Sequence, residues 1–553
     1  MSKNLFEAER TSPLRARLVA AGLCFAFCAV GLQGAVVALA GSDSATARVA
    51  SSSRDAVSTR RAEIVDRNGE RLATSVSVYS LYADPSAIWN AHDVAAGLVS
   101  ILPDLDYDTI LARLSDEDRR FVWLKRGLTP NQRQAVFDLG FEALGFREET
   151  RHFYPQRSLA SHILGFTDVD GNGISGIEYA LNDRLTSTDE PLQLTIDVGI
   201  QYSLEVELSA AAVRTNAEGG AGVVLDARTG EVLAMASWPM YDANRPQDAD
   251  DIARFNRASS GVYELGSVFK PFTIAAGIDL GEVTLRETFD VRNPIRIGSD
   301  AIHDDHPLHN ARSADLTTIL AQSSNIGTVQ VAGRIGPERQ VRFLESLGLF
   351  EASPVELGSA SPLLPEYWSE VTYATTSFGH GIAVSPMAFA SAFATFANDG
   401  EYLAPTILME GDPLSEPREP RRVMSAPTAQ VVVEMMRTAV TEGTGRNADV
   451  VGYRVAGKTG TAEKPAAGGY DDDRNVTSFS AVFPADDPNY VVLIVLDEPT
   501  NEAGQAISAA FASAPAVGNV IERIAPILDV MPNFEDIRPS GPPVRMIADR
   551  RSL

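Results

Sequence analysis

Apolar and polar positions alternate along the chain in patterns that change from region to region. Leu18 to Ala40 carries no charge, with Gln33 its one strongly polar residue. At ~1.5 Å rise per residue, such a run crosses a bilayer core of ~30 Å. The stretch from Gly41 to Thr59 is rich in Ser, Ala and Thr and reads as a flexible linker. Between Arg60 and Ala73, Asn68-Gly69 separates two short apolar stretches, a strong hairpin signal. From about Ala91 to Leu144, helix-like stretches alternate with polar breaks and carry no chemical constellation, as expected of a scaffold.

Past Leu192 the pattern turns to β. Ala221–Asp226 and Glu231–Ser237 are apolar, β-prone runs flanking the turn Ala227-Arg228-Thr229-Gly230. Arg454–Glu463, Ser478–Phe483 and Tyr490–Leu496 predict three further strands. Two strands early, three late and a helical middle predict an α/β domain whose sheet is completed by distant parts of the chain. The tail after Pro532 is Pro/Arg-rich and reads as disordered.

Lys3, Arg10, Arg15 and Arg17 precede the apolar run, and Asp43 is the first charge after it. The positive-inside rule then places residues 1–17 in the cytoplasm and everything after Ala40 outside. Ala38-Leu39-Ala40 has the small residues of a signal cleavage site, but the run exceeds the ~7–15 residues of a signal core, so a retained anchor is expected. Cys24 and Cys28 both fall inside that run and read as small apolar fillers; the rest of the chain has no cysteine and forms no disulfide. A net charge of −26 without a basic cluster excludes a nucleic-acid partner.

Three short strings carry the chemistry: Ser267-Val268-Phe269-Lys270, Ser323-Ser324-Asn325 and Lys458-Thr459-Gly460-Thr461. Gly266 gives the backbone freedom before Ser267, and Pro271–Ile278 continues as an apolar helix ended by Gly281. Ser267 and Lys270 at i and i+3 share a face. A serine hydroxyl needs a base beside it, and a desolvated lysine, or one near another cation, loses its proton readily enough to serve. Ser323 follows the helix-like Leu316–Gln322; as a second hydroxyl it can relay a proton to a leaving amine, while Asn325 holds a peptide carbonyl. The bland alternative is a helix cap of small polar residues. Gly460 in mid-strand calls for close approach of a ligand or another backbone. Lys458, Thr459 and Thr461 are suited to fix a substrate carboxylate, and the backbone N–H groups of Ser267 and Thr461 to form an oxyanion hole. The three strings in this order are the signature of penicillin-binding proteins and serine β-lactamases.

The likeness extends further. Tyr263 through Pro271 resembles the Y-E-P-G-S-x-x-K-P of class B penicillin-binding proteins, with Leu265 in place of the usual Pro. Leu194-Thr195-Ile196-Asp197 followed by Ile200-Gln201 is similar to the entry of their transpeptidase domain, and Arg151–Pro155, His162–Phe166 and Asp66–Gly69 resemble pedestal motifs. Phe378-Gly379-His380-Gly381 through Pro386 resembles the loop beside their active site, which implies Gly379 and His380 as cleft residues. The resemblance implies a central antiparallel sheet flanked by helices at 191–532, preceded by an elongated α+β pedestal at 60–190, the linker 41–59 and the transmembrane helix 18–40, and followed by a flexible tail at 533–553. Ser324 at the second place of its motif is similar to the division-specific FtsI type, where elongation-specific members usually carry Asp. The resemblance thus implies D,D-transpeptidation of peptidoglycan stem peptides on lipid II-derived strands at the septum, covalent capture of β-lactams, and partnership with an FtsW-type glycosyltransferase and divisome proteins in the bacterial inner membrane. No cofactor is implied.

Four other readings attach to these residues and motifs. Glu117-Asp118-Arg119-Arg120-Phe121 resembles the start of a glycosyltransferase motif, but Val122-Trp123-Leu124-Lys125 follows instead of its His and Gly, leaving a solvated charged segment. His303, Asp304, Asp305, His306 and His309 include metal-ligand types, yet a polar loop is the preferred reading and no metal is expected. A β-lactamase or D,D-carboxypeptidase on the same design is disfavoured by the anchor and pedestal, and by the lack of a convincing second carboxylate motif for deacylation. A non-catalytic divisome scaffold or β-lactam sensor is disfavoured by the intact trio.

Overall fold

The computed structural model describes residues 61–298, 300–305, 308, 311–466 and 469–534. The expected anchor with its flanks, nearly all of the expected tail, and His306 and His309 lie outside them. Among the described residues no helix is long and apolar enough to cross a membrane.

The first sheet grows from the predicted hairpin. Asp66 accepts from the N–H groups of Asn68 and Glu70, both at 2.8 Å, and Gly69 takes φ +85°, so the chain reverses between Ile64–Val65 and Arg71–Ala83. The second strand runs 13 residues because Ser-Val-Ser-Val-Tyr-Ser-Leu-Tyr alternates small polar with β-branched, aliphatic and aromatic residues. It pairs antiparallel with Val122–Leu128 and Leu144–Phe153. Helices Ala91–Ile101, Tyr107–Leu114 and Pro130–Phe137 close a core of its own around Leu81, Leu98, Ile110 and Leu124.

A fully buried polar knot fixes the root of this pedestal. Arg61 pairs with Glu178, which also takes His152 and, at 3.0 Å, the Tyr154 hydroxyl. Tyr154 backbone then exchanges hydrogen bonds with the Asn244 amide at 3.0 and 2.8 Å, and Asn68 Nδ2 donates to Asp197 at 2.9 Å. The pedestal is thereby tied to the second domain at two places. Asp197 also N-caps the helix Val198–Arg214, accepting from Gly199 and Ile200, which gives the Leu194–Asp197 segment a mechanical role.

The second sheet has five antiparallel strands in the order Ala456–Ala466, Gly469–Phe483, Tyr490–Asp497, Gly219–Asp226, Val232–Trp238. Two early and three late strands thus join edge to edge, the early hairpin turning at Gly230 with φ +70°. Strand Gly469–Phe483 begins well before the apolar run that predicts it, because Gly469–Asn475 is polar yet pairs with the strand beside it. Helices Val198–Arg214 and Ser513–Ile524 cover one face, and the apolar interior of the helical middle the other. There, Phe269, Phe272, Phe389, Phe393 and Phe396 stack with centroids 5.2–6.0 Å apart and anchor the helix Lys270–Asp279. Aromatic clusters of this kind combine large burial with fixed geometry.

Candidate active site

Ser267 sits in a 3₁₀ turn, Gly266–Phe269, that feeds directly into the helix beginning at Lys270. In a 3₁₀ turn residues i and i+3 eclipse, so serine and lysine lie above one another more closely than an α-helix would place them. Three glycines make the turn possible. Gly266 has φ +63°, a region that disfavours side chains, and a Cβ there would come within 2.7 Å of Thr461 O. A Cβ on Gly379 would stand 2.2 Å from Gly266 O, and one on Gly460 2.2 Å from Leu265 O. The mid-strand glycine therefore answers to another backbone: the edge strand packs against the turn that carries Ser267.

The second motif lies at the bend between helices Leu316–Ala321 and Asn325–Ile335. Ser323 takes φ +62°, unusual for a non-glycine residue, and its hydroxyl lies 3.0 Å from Lys270 Nζ and 2.9 Å from Lys458 Nζ. Both lysines are fully buried. Burial pushes the Lys270 amine down to about 7, the carboxylates of Asp305 and Asp304 only partly opposing it. Lys458 is pushed well down by burial and then by Lys270. Two amines sharing one hydroxyl in a dry site cannot comfortably both carry charge. Ser267 is half-buried, and its hydroxyl has no hydrogen bond among the described residues.

Ser324 is engaged otherwise. Its hydroxyl donates to Asp304 at 2.8 Å and accepts from Gly327 N at 3.0 Å, capping the second helix. Asp304's other oxygen accepts from Ile326 N at 2.9 Å. This explains the acid in the histidine-rich loop without a ligand. Asn325 donates to His303 O at 2.9 Å, and its buried Oδ1 is left without a partner, an acceptor open to a substrate amide.

Ser267, Ser323, Thr459 and Thr461 line one cleft of about 380 Å³. Its walls include residues that the motifs do not flag: Asp305, Thr444, Asn447 and the 68 % exposed Phe511. Thr444 Oγ1 stands 2.7 Å from Thr459 Oγ1, and Asn447 Nδ2 donates to Ala510 O at 2.7 Å, lacing the rim. The one sequence signal was Gly443-Thr444-Gly445 closing a helix, and Gly443 does press on Ala321, where a Cβ would come within 2.1 Å of its carbonyl oxygen. Thr461 Oγ1 accepts from Ala509 N at 3.2 Å. His380 is held neutral, pushed down to about 4 chiefly by burial, and its ring lies 5.4 Å from Tyr470. A larger cavity of about 830 Å³ between Arg228, Phe396, Glu434 and Asp487 contains none of the trio. Convergent polar groups, not volume, distinguish the smaller cleft.

Residues 220–515 match the family model "Penicillin binding protein transpeptidase domain", and 56–199 match "Penicillin-binding Protein dimerisation domain". The chain is 42% identical over 486 residues to the probable peptidoglycan D,D-transpeptidase FtsI of Caulobacter vibrioides, covering 85% of this chain and 82% of that one. It is 31% identical to the peptidoglycan D,D-transpeptidase FtsI of Escherichia coli K12, covering 86% and 85%. Among solved structures, penicillin-binding protein 3 of Mycobacterium tuberculosis complexed with aztreonam superimposes with a TM-score of 0.67 at 28% identity, over 88% of this chain and 98% of that one.

Proposed function

The chain belongs to the penicillin-binding protein transpeptidases, with the dimerisation domain preceding the catalytic one, and on that premise we propose that Ser267 is the acyl-accepting nucleophile of a peptidoglycan D,D-transpeptidase. The observation that carries the assignment of roles is the shared contact of Lys270, Ser323 and Lys458 beside an otherwise free serine hydroxyl. Neutral Lys270 takes the Ser267 proton as the oxygen attacks the carbonyl between the two terminal D-Ala residues. The Ser267 and Thr461 N–H groups receive the developing oxyanion, on an edge strand whose outer backbone groups the sheet does not use. Ser323 passes a proton to the departing D-Ala amine, and Lys458 with Thr459 and Thr461 holds the terminal carboxylate. The acyl ester on Ser267 is then resolved by an acceptor amine. A β-lactam that acylates the same oxygen blocks the cycle.

The apolar run Leu18–Ala40 supports a single-pass inner-membrane anchor with the catalytic domain outside. Relatives named FtsI, and Ser324 at the second place of its motif, support a septal role beside an FtsW-type glycosyltransferase and divisome membrane proteins. The test is labelled penicillin: one label per chain at Ser267, lost in Ser267→Ala, is expected, and rapid hydrolytic turnover of the label overturns the transpeptidase assignment. Depletion giving filaments supports septation; round cells would move the protein to elongation.

A further inference from the structure

The catalytic cleft does not end at Thr461. Alternate residues of a strand share a face, so Thr459 and Thr461 of the edge strand are followed on that face by Glu463. Glu463 lines a second groove, of about 300 Å³, together with Glu264, Leu363, Leu364 and Val476. The two spaces also adjoin through the chain: Glu264 precedes Ser267 by three residues, at most ~11 Å of extended backbone.

Glu264 gives this groove its chemistry. Its carboxyl is raised by burial, relieved in part by the Gly381 N–H and by the Tyr470 hydroxyl at 3.2 Å. Among the described residues no lysine or arginine pairs with it. The groove's own cation, Lys464, is already held by Asp497 at 2.9 Å and Glu498 at 2.6 Å. The space therefore offers a half-buried carboxylate without a counter-charge, walled by aliphatic side chains. Leu363, 63 % exposed, forms the outer wall. Tyr470, which donates to Glu264, has its ring 5.4 Å from that of His380, a residue whose imidazole feels the charge of Lys270.

We propose that this groove seats the acceptor strand of the transpeptidation, an aliphatic side chain ending in a primary ammonium, with Glu264 as its counter-charge. The assignment rests on the acyl-transfer reading above. In the resolving step the ammonium gives up two protons, its nitrogen forms the new amide with the acyl carbonyl, and the ester C–O bond to Ser267 breaks. One proton restores the Ser267 hydroxyl and the other leaves through Lys270 to solvent. Glu264 is thus a positioning residue: it concentrates the amine at the ester but does not bond to a reacting atom.

The experiment uses the full-length protein, a benzoyl-D-alanyl thioester as acyl donor and Nα-acetyl-lysine amide as acceptor, and measures the ratio of aminolysis to hydrolysis. That ratio belongs to the acyl-enzyme and does not depend on how fast it forms. Glu264→Gln retains both hydrogen bonds but loses the charge, and is expected to lower the ratio about fivefold, as for loss of one partly buried ion pair of ~1 kcal/mol. With hydroxylamine, an uncharged acceptor, the ratio is expected to stay within twofold. Leu363→Lys, at an exposed wall that folding does not need, is expected to lower the lysine-amide ratio by repulsion. An unchanged ratio in both variants, or an equal fall with hydroxylamine, overturns the proposal. Failure of labelled penicillin to acylate the wild-type Ser267 would instead overturn the acyl-transfer reading itself.

Discussion

Lys270 makes the sharpest quantitative prediction. An amine that titrates at about 7 is ~10% neutral at pH 6 and ~90% neutral at pH 8, whereas an ordinary lysine is ~0.4% neutral at pH 8. If neutral Lys270 takes the Ser267 proton, the second-order rate of acylation by a fluorescent penicillin should rise about tenfold from pH 6 to pH 8 and then level off. An unperturbed base would give a rise of ~100-fold over the same interval, continuing toward pH 10. Burial has a stability counterpart. The unfolded amine keeps its proton to ~10.4, the folded one only to about 7, so the unfolded state binds more protons in that window and stability climbs with pH across it. The fall from 10.5 to about 7 corresponds to ~5 kcal/mol below pH 7 as an upper bound. Lys270→Met should therefore abolish labelling while raising the urea midpoint at pH 7 and flattening its rise between pH 7 and 10. A log-linear acylation profile without a plateau, or a Lys270→Met protein that still labels, refutes the reasoning.

Three further outcomes follow from the packing. Gly460→Ala drives a Cβ to 2.2 Å from Leu265 O and 2.5 Å from Ser478 Oγ; it should displace the Ser267 turn, costing ~3 kcal/mol in thermal melts and most of the penicillin labelling. Ser324→Ala removes a helix cap and should cost ~1 kcal/mol of stability while acylation persists; collapse of labelling in a folded protein would place Ser324 in contact with substrate. Glu205 is buried, bonded to Ala160 N and Gln201, and raised to about 7 chiefly by burial. The folded state thus holds a proton that the unfolded state releases, and stability is lost as pH rises from ~4.5 through 7. Glu205→Gln should raise the melting temperature at pH 8, by up to ~3 kcal/mol of stability, and leave it unchanged at pH 4.

Local grammar made much of the chain legible. Asn68-Gly69 fixes a hairpin because glycine takes φ +85° there at no steric cost. The apolar runs at 221–226 and 490–496 become neighbouring strands because both are buried on two faces. Periodicity missed the strand Gly469–Asn475, whose polar residues pair at the rim of the sheet where no core demands apolar side chains.

By itself the sequence singled out the residues proposed to carry the chemistry, since a nucleophile, a base and a carboxylate binder need particular side chains at fixed local spacings. Only the tertiary structure decided what each does with its neighbours. The lowered Lys270 amine comes from burial by distant segments, while Ser324 is drawn off to Asp304 and Gly460 answers to the Leu265 carbonyl. Asp305, Thr444 and Phe511 join the cleft from loops without a motif. Desolvation and close backbone contact depend on which segments meet in space, and no spacing along one chain encodes them.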